Sequence, residues 1–104
     1  MHFYYVHSLD ELEVGKFGIR EPKESAPMVT SFENSLLIVP AVVFDKQGHR
    51  IGYGKGYFDR FISRTTTSPI GVIYEDFVID NLPFGRYDAI IPLIVSQKAI
   101  HIIQ

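Results

Sequence analysis

The run Leu36-Leu37-Ile38-Val39 has no polar alternation and stops at Pro40. A strand with one wet face alternates. An unbroken apolar run expects cover on both faces, as in a central parallel strand between helical layers. The same texture returns in Ile70-Gly71-Val72-Ile73-Tyr74 and, interrupted by Pro92, in Ala89 to Val95, which predicts one or two short strands. Between the first two runs, Phe58, Phe61 and Ile62 fall at i, i+3 and i+4, one face of a helix, and Thr65 to Pro69 ends it. Strand, helix, strand at this spacing is a crossover. The expected fold class is α/β, with a mostly parallel sheet and flanking helices. Ile100-His101-Ile102-Ile103 alternates and predicts a final strand.

The remaining text is less regular. Phe3-Tyr4-Tyr5-Val6 predicts a strand, and Ser8 followed by Glu11 predicts a capped helical turn. From Gly15 to Asn34, glycines, prolines and charges interrupt any period, so a long surface connection is expected; Asp45-Lys46-Gln47-Gly48 reads as a turn and Pro83 to Asp88 as a loop. With 104 residues, 46% of them hydrophobic, the whole of 1–104 is expected to be one domain around one core. A net charge of -2 removes the electrostatic case for nucleic acid or an anionic membrane, and the absence of Cys removes disulfides and a thiol nucleophile. No apolar run approaches the ~18 residues of a spanning helix, and the first residues lack a secretory pattern. A cytoplasmic protein is expected.

The segment that points to chemistry is Arg50-Ile51-Gly52-Tyr53-Gly54-Lys55-Gly56-Tyr57-Phe58-Asp59-Arg60. Three alternate glycines let backbone approach a ligand, and the helix that follows directs its free N–H groups at the same place. Arg50 and Lys55 add positive charge, which favours a polyphosphate; Asp59, in the first turn, can hold a magnesium ion. Neither the P-loop pattern nor the dinucleotide fingerprint fits, since Tyr57 occupies the third glycine's position. On physics alone the segment is either this anion cradle or a flexible turn whose Asp complements a helix dipole.

Leu37-Ile38-Val39-Pro40, Phe44-Asp45 and Gly48 through Arg60 together resemble the signature of the 5-formyltetrahydrofolate cyclo-ligase family, also called 5,10-methenyltetrahydrofolate synthetases. The likeness extends upstream to Gly18-Ile19-Arg20-Glu21-Pro22 and downstream to Leu82-Pro83, Asp88 and Ile94-Val95-Ser96-Gln97. It corresponds to the C-terminal portion of that family. The resemblance implies a truncated Rossmann-like three-layer domain. It also implies an enzyme that uses MgATP to phosphorylate the formyl oxygen of 5-formyltetrahydrofolate, whereupon N10 closes the ring and expels phosphate. By that likeness Arg50, Gly52, Tyr53, Gly54, Lys55, Gly56, Tyr57 and Phe58 would wrap ATP, Lys55 and Tyr57 would be catalytic, and Asp59 and Asp88 would serve Mg2+. Phe58, Tyr87 and Ser96-Gln97 depart from the family's usual Tyr, His and Thr-Glu.

Other candidates are weaker. His2, His7, His49 and His101 show no metal-ligand spacing, no nucleophile elbow occurs, and Phe3, Tyr4 and Tyr5 read as core before they read as a pterin platform. Asp10, Glu11 and Glu13 read as a solvated face. The rival to the enzyme is a non-catalytic shortened relative or fragment that binds nucleotide or phosphate as an interaction module. For the enzyme, the expected partners are a reduced folate and a second copy of the chain or a separately encoded N-terminal half.

Overall fold

Residues 1–52, 56–83 and 89–103 are described by a computed structural model. Two units divide the chain, Met1–Ser31 and Phe32–Gln104. In the first, β1 (Leu12–Val14) and β2 (Arg20–Pro22) pair antiparallel with Val14 opposite Arg20. A 3-10 turn over Lys16–Gly18 joins them, with Gly18 at φ 72. Gly15 and Gly18, read as breakers of a surface connection, therefore belong to a hairpin: Phe17 and Gly18 are left-handed and reverse the chain, and the Gly15 N–H donates to the Ile19 carbonyl at 2.8 Å. Leu9–Glu11 is a 3-10 turn, and the Glu11 carboxylate accepts the Ser8 N–H at 3.0 Å, the box partner expected. The strand expected over Phe3 to Val6 is reduced to one bridge, Tyr4 to Met28.

In the second unit the apolar runs become β3 (Leu37–Val39), β6 (Pro69–Val72) and β8 (Leu93–Val95), and the alternating end becomes β9 (Ile100–Ile102). Their order in the sheet is β3-β6-β8-β9; the first three are parallel and β9 is antiparallel to β8. A second sheet, β5-β4-β7, is made of β4 (Val43–Asp45), β5 (Arg50–Ile51) and β7 (Val78–Ile79). Here β4 runs antiparallel to β5 and parallel to β7. The one α-helix among the described residues is α1 (Tyr57–Ile62), whose Phe61 ring meets Phe32 edge-on at 5.1 Å. The α/β class holds. Parallel pairing is interrupted by two antiparallel pairs in this unit, and the flanking helices are few.

Register explains which face is core. Val39, Gly71, Ile94 and His101 lie in one row and all but His101 are buried. The Phe44 ring fills the space a side chain at Gly71 would need, with Cζ 2.5 Å from where a Cβ would stand. Gly71 is thus what lets β4 pack on β6. The opposite face carries Ile38, Ile70, Leu93 and Ile102 in one row and Val72, Val95 and Ile100 in the next. All seven are aliphatic, and Ile38 and Ile102 are 53% and 70% exposed. The expectation of a central strand covered on both faces fails for β3 among the described residues. It is an edge strand, and an unbroken apolar run cannot say which element covers its second face. No helix of the described residues is long and apolar enough to cross a membrane.

Candidate functional site

Where β3, β6 and β8 end at their carboxyl edges, the chain diverges and leaves a cavity of about 620 Å³. Open parallel sheets bind ligands at this edge. Pro40 and Val42 line one wall, Val72 and Tyr74 another, and Phe77 and Gln97 close the rim. The lining is mainly apolar, with the Ser96 hydroxyl and the Gln97 amide as fixed polar groups, the constitution of a small-molecule site.

Arg50, the first residue of β5, has a side chain only 3% exposed. Its Nε and Nη2 donate to the Pro40 carbonyl at 3.2 and 3.0 Å, and its Nη1 lies 3.4 Å from Asp59 Oδ1. The guanidinium sits 5.4 Å from the Phe58 ring centre, a cation–π contact strengthened by desolvation. Gly52 makes room for it: a Cβ there would stand 2.6 Å from Arg50 Nη2. One side chain therefore joins the cavity wall at Pro40 to the first turn of α1.

Asp59, in that first turn, is 28% exposed at its side chain. An ionised carboxylate has about four acceptor sites. Among the described residues its side chain has one long contact, from Arg50, and part of it is open to solvent, which suits a hard cation. Tyr57 opens the helix and is half exposed, with Arg60 5.2 Å from its ring centre, and Gly56 before it is left-handed at φ 70. Tyr53, Gly54, Lys55 and Asp88 lie outside the described residues. No group of three or more His, Cys, Asp or Glu placed to hold a metal occurs among the described residues.

Two further carboxylates were not singled out by the sequence. Asp45 is fully buried at the end of β4. Its Oδ1 accepts the Gln47 and His49 N–H groups, both at 2.9 Å, and its Oδ2 accepts the Leu82 N–H and the His49 ring Nδ1–H, both at 3.0 Å. Burial pushes this carboxyl up. The donors from His49, Leu82 and Gln47 outweigh it and hold the group below the usual 3.8. Glu75, beside the cavity rim, accepts the Ser96 hydroxyl at 2.5 Å and the His101 Nε2–H at 3.0 Å. The Ser96 bond, then the His101 bond, lowers its pKa. The Gln97 side chain accepts the Glu75 N–H at 2.9 Å, so this network fixes the two polar groups of the rim. The strand-edge rule for parallel sheets was the signal that would have found the cavity. Asp45 read as a turn residue within the family signature, with no role of its own, because its distant donor, Leu82, is 37 positions away.

A sequence model of the 5-formyltetrahydrofolate cyclo-ligase family matches residues 1–97. The 5-formyltetrahydrofolate cyclo-ligase of Escherichia coli is 29% identical over 94% of this chain and 56% of its own length. A probable 5-formyltetrahydrofolate cyclo-ligase of Schizosaccharomyces pombe is 40% identical over 96% and 57%. Among solved structures, the 5,10-methenyltetrahydrofolate synthetase of Aquifex aeolicus superposes with a TM-score of 0.80 at 36% identity, covering 99% of this chain and 53% of that one. The chain spans about half the length of the curated relatives it matches.

Proposed function

The chain belongs to the 5-formyltetrahydrofolate cyclo-ligase family, and from that premise we propose that it serves the ATP-dependent conversion of 5-formyltetrahydrofolate to 5,10-methenyltetrahydrofolate. MgATP supplies the phosphoryl group that turns the formyl oxygen into a leaving group, so that N10 closes the ring and phosphate departs. Phosphoryl transfer asks the protein chiefly for positioning and for neutralisation of charge. In this reading Gly52, Tyr53, Gly54, Lys55 and Gly56 follow the phosphates, with Tyr57 and Phe58 at the end of the segment. Lys55 and Tyr57 meet the reacting groups. Asp59 and Asp88 take the magnesium ion. The pterin occupies the apolar cavity, its polar edge met by the Gln97 amide.

The observation that carries the reading is the double engagement of Arg50 with Pro40 and Asp59. It sets the cavity that suits a heterocycle beside the carboxylate that suits a cation, as a transfer between two bound substrates requires. Arg50 then acts on the cofactor segment from behind. Residues 1–104 work as one cyclo-ligase-like domain in the cytoplasm, within the three-layer arrangement of the family.

The test incubates the purified chain with 5-formyltetrahydrofolate and ATP, with and without magnesium, and follows the near-ultraviolet absorbance of the methenyl product. Calorimetric titration with ATP runs beside it. Magnesium-dependent product formation supports the enzyme. Magnesium-dependent ATP binding without product leaves a nucleotide-binding module, and the absence of both overturns the reading.

A further inference from the structure

The turn between β4 and β5 holds more of the molecule than its length suggests. Within it the Asp45 N–H donates to the His49 carbonyl at 2.9 Å and the Gly48 N–H to the Asp45 carbonyl at 3.1 Å. From it, Asp45 Oδ2 reaches the N–H of Leu82. On its other side the Gly48 carbonyl accepts the N–H of Ile91 at 2.9 Å, and the Lys46 N–H donates to Ile79 at 3.0 Å. Leu82 and Ile91 are both buried, so neither N–H has water as an alternative partner. The chain thus leaves this turn at Leu82 and returns to it at Ile91. The next residue after His49 is Arg50, whose side chain reaches Pro40 and Asp59.

The side chain at position 45 has to be a carboxylate of this length. Four donors converge on two oxygens. An amide would present its own N–H to one pair of donors, and a longer side chain would overfill a fully buried position. We propose that Asp45 is a positioning residue of the candidate site: its buried carboxylate locks the turn from which Arg50 issues onto the chain at Leu82 and Ile91. The link from this lock to catalysis rests on the functional reading above. The lock itself does not.

The experiment uses the full chain carrying Asp45→Asn, with Asp45→Ser beside it. Amide hydrogen exchange is read at Leu82, Ile91 and the core strand residue Ile94. ATP titrations with and without magnesium provide the second readout. We expect exchange at Leu82 and Ile91 to rise about tenfold or more while Ile94 stays protected, since opening is local. We also expect the gain in ATP affinity conferred by magnesium to shrink by about tenfold, with metal-free affinity nearly unchanged. Unchanged exchange at Leu82 and Ile91 in a folded variant overturns the lock. Loss of Ile94 protection in both variants overturns it too, because Asp45 would then be a determinant of the whole fold. Local exchange with an unchanged magnesium gain leaves a merely structural residue and overturns the positioning role. If the unmodified chain shows no magnesium-dependent binding, the functional reading fails, and the exchange data still decide the lock.

Discussion

Asp45 and Asp59 belong to the same stretch of chain, one in the turn after β4 and the other in the first turn of α1, and the fold treats them oppositely. Every acceptor direction of Asp45 is met by a donor from the protein, and no solvent reaches it. Asp59 is partly open and, among the described residues, has one long contact, to Arg50. A carboxylate whose acceptors are filled holds the fold together. One whose acceptors are left unfilled has capacity for something the chain itself does not supply. Both lie among the residues that carry the family resemblance, which implies a metal role for Asp59 and none for Asp45.

The sharpest way to break this contrast is truncation of each. Asp45→Ala strands four donors in a buried place and is expected to cost about 3 kcal/mol, whereas Asp59→Ala is expected to cost less than about 0.5 kcal/mol. Urea unfolding with unchanged m-values measures both, and equal losses would erase the distinction. Next in size are the neighbouring glycines. At Gly48, φ is 89 and a Cβ would stand 2.6 Å from the Ile91 carbonyl oxygen, while at Gly56, φ is 70 and the nearest obstacle is the far end of Arg60 at 3.0 Å. Alanine is expected to cost about 3 kcal/mol at the first and about 1 kcal/mol at the second.

Acid should test the burial of Asp45 as well. The folded pKa of Asp45 lies below its usual 3.8, so under acid the unfolded chain binds the proton first and stability falls with pH. The contribution is complete above the usual value and disappears as pH drops through the folded one. Denaturation midpoints measured below about pH 4 should therefore fall less steeply in Asp45→Asn than in the unmodified chain. The smallest expected effect on stability is that of Asp59→Asn, within about 0.5 kcal/mol. Its consequence is expected in binding, as loss of the magnesium-dependent part of ATP affinity with metal-free affinity retained. Equal weakening of both would remove Asp59 from the metal role.

The strands β3, β6, β8 and β9 and the helix α1 were legible because period and punctuation are local signals. Pro40 ends β3, and Thr65 to Ser68 follow α1 before β6 begins at Pro69. The position of β3 at a sheet edge was not legible, because strand order depends on pairings that the run Leu37 to Val39 does not encode. The β1–β2 hairpin was missed for a related reason. Glycine interrupts a pattern in the same way whether it ends order or turns it back. At the site, the glycine segment and Asp59 stood out in the sequence, but the reason for Gly52 did not: it clears space for the Arg50 guanidinium. Asp45, Glu75 and the cavity wall became visible only once distant segments were placed side by side.

The parallel pairing of β3 with β6 has a kinetic meaning. β8 and β9 are joined by a short turn and close cheaply, whereas β3 meets β6 only after the whole β4–β5–α1 stretch has been looped out. Loop closure of that kind costs entropy before any contact repays it. The cavity needs both β3's end and β6's end, so it is complete only after the slow closure. A molecule bound there bridges ends that a long loop closure brings together, and its binding energy opposes their separation.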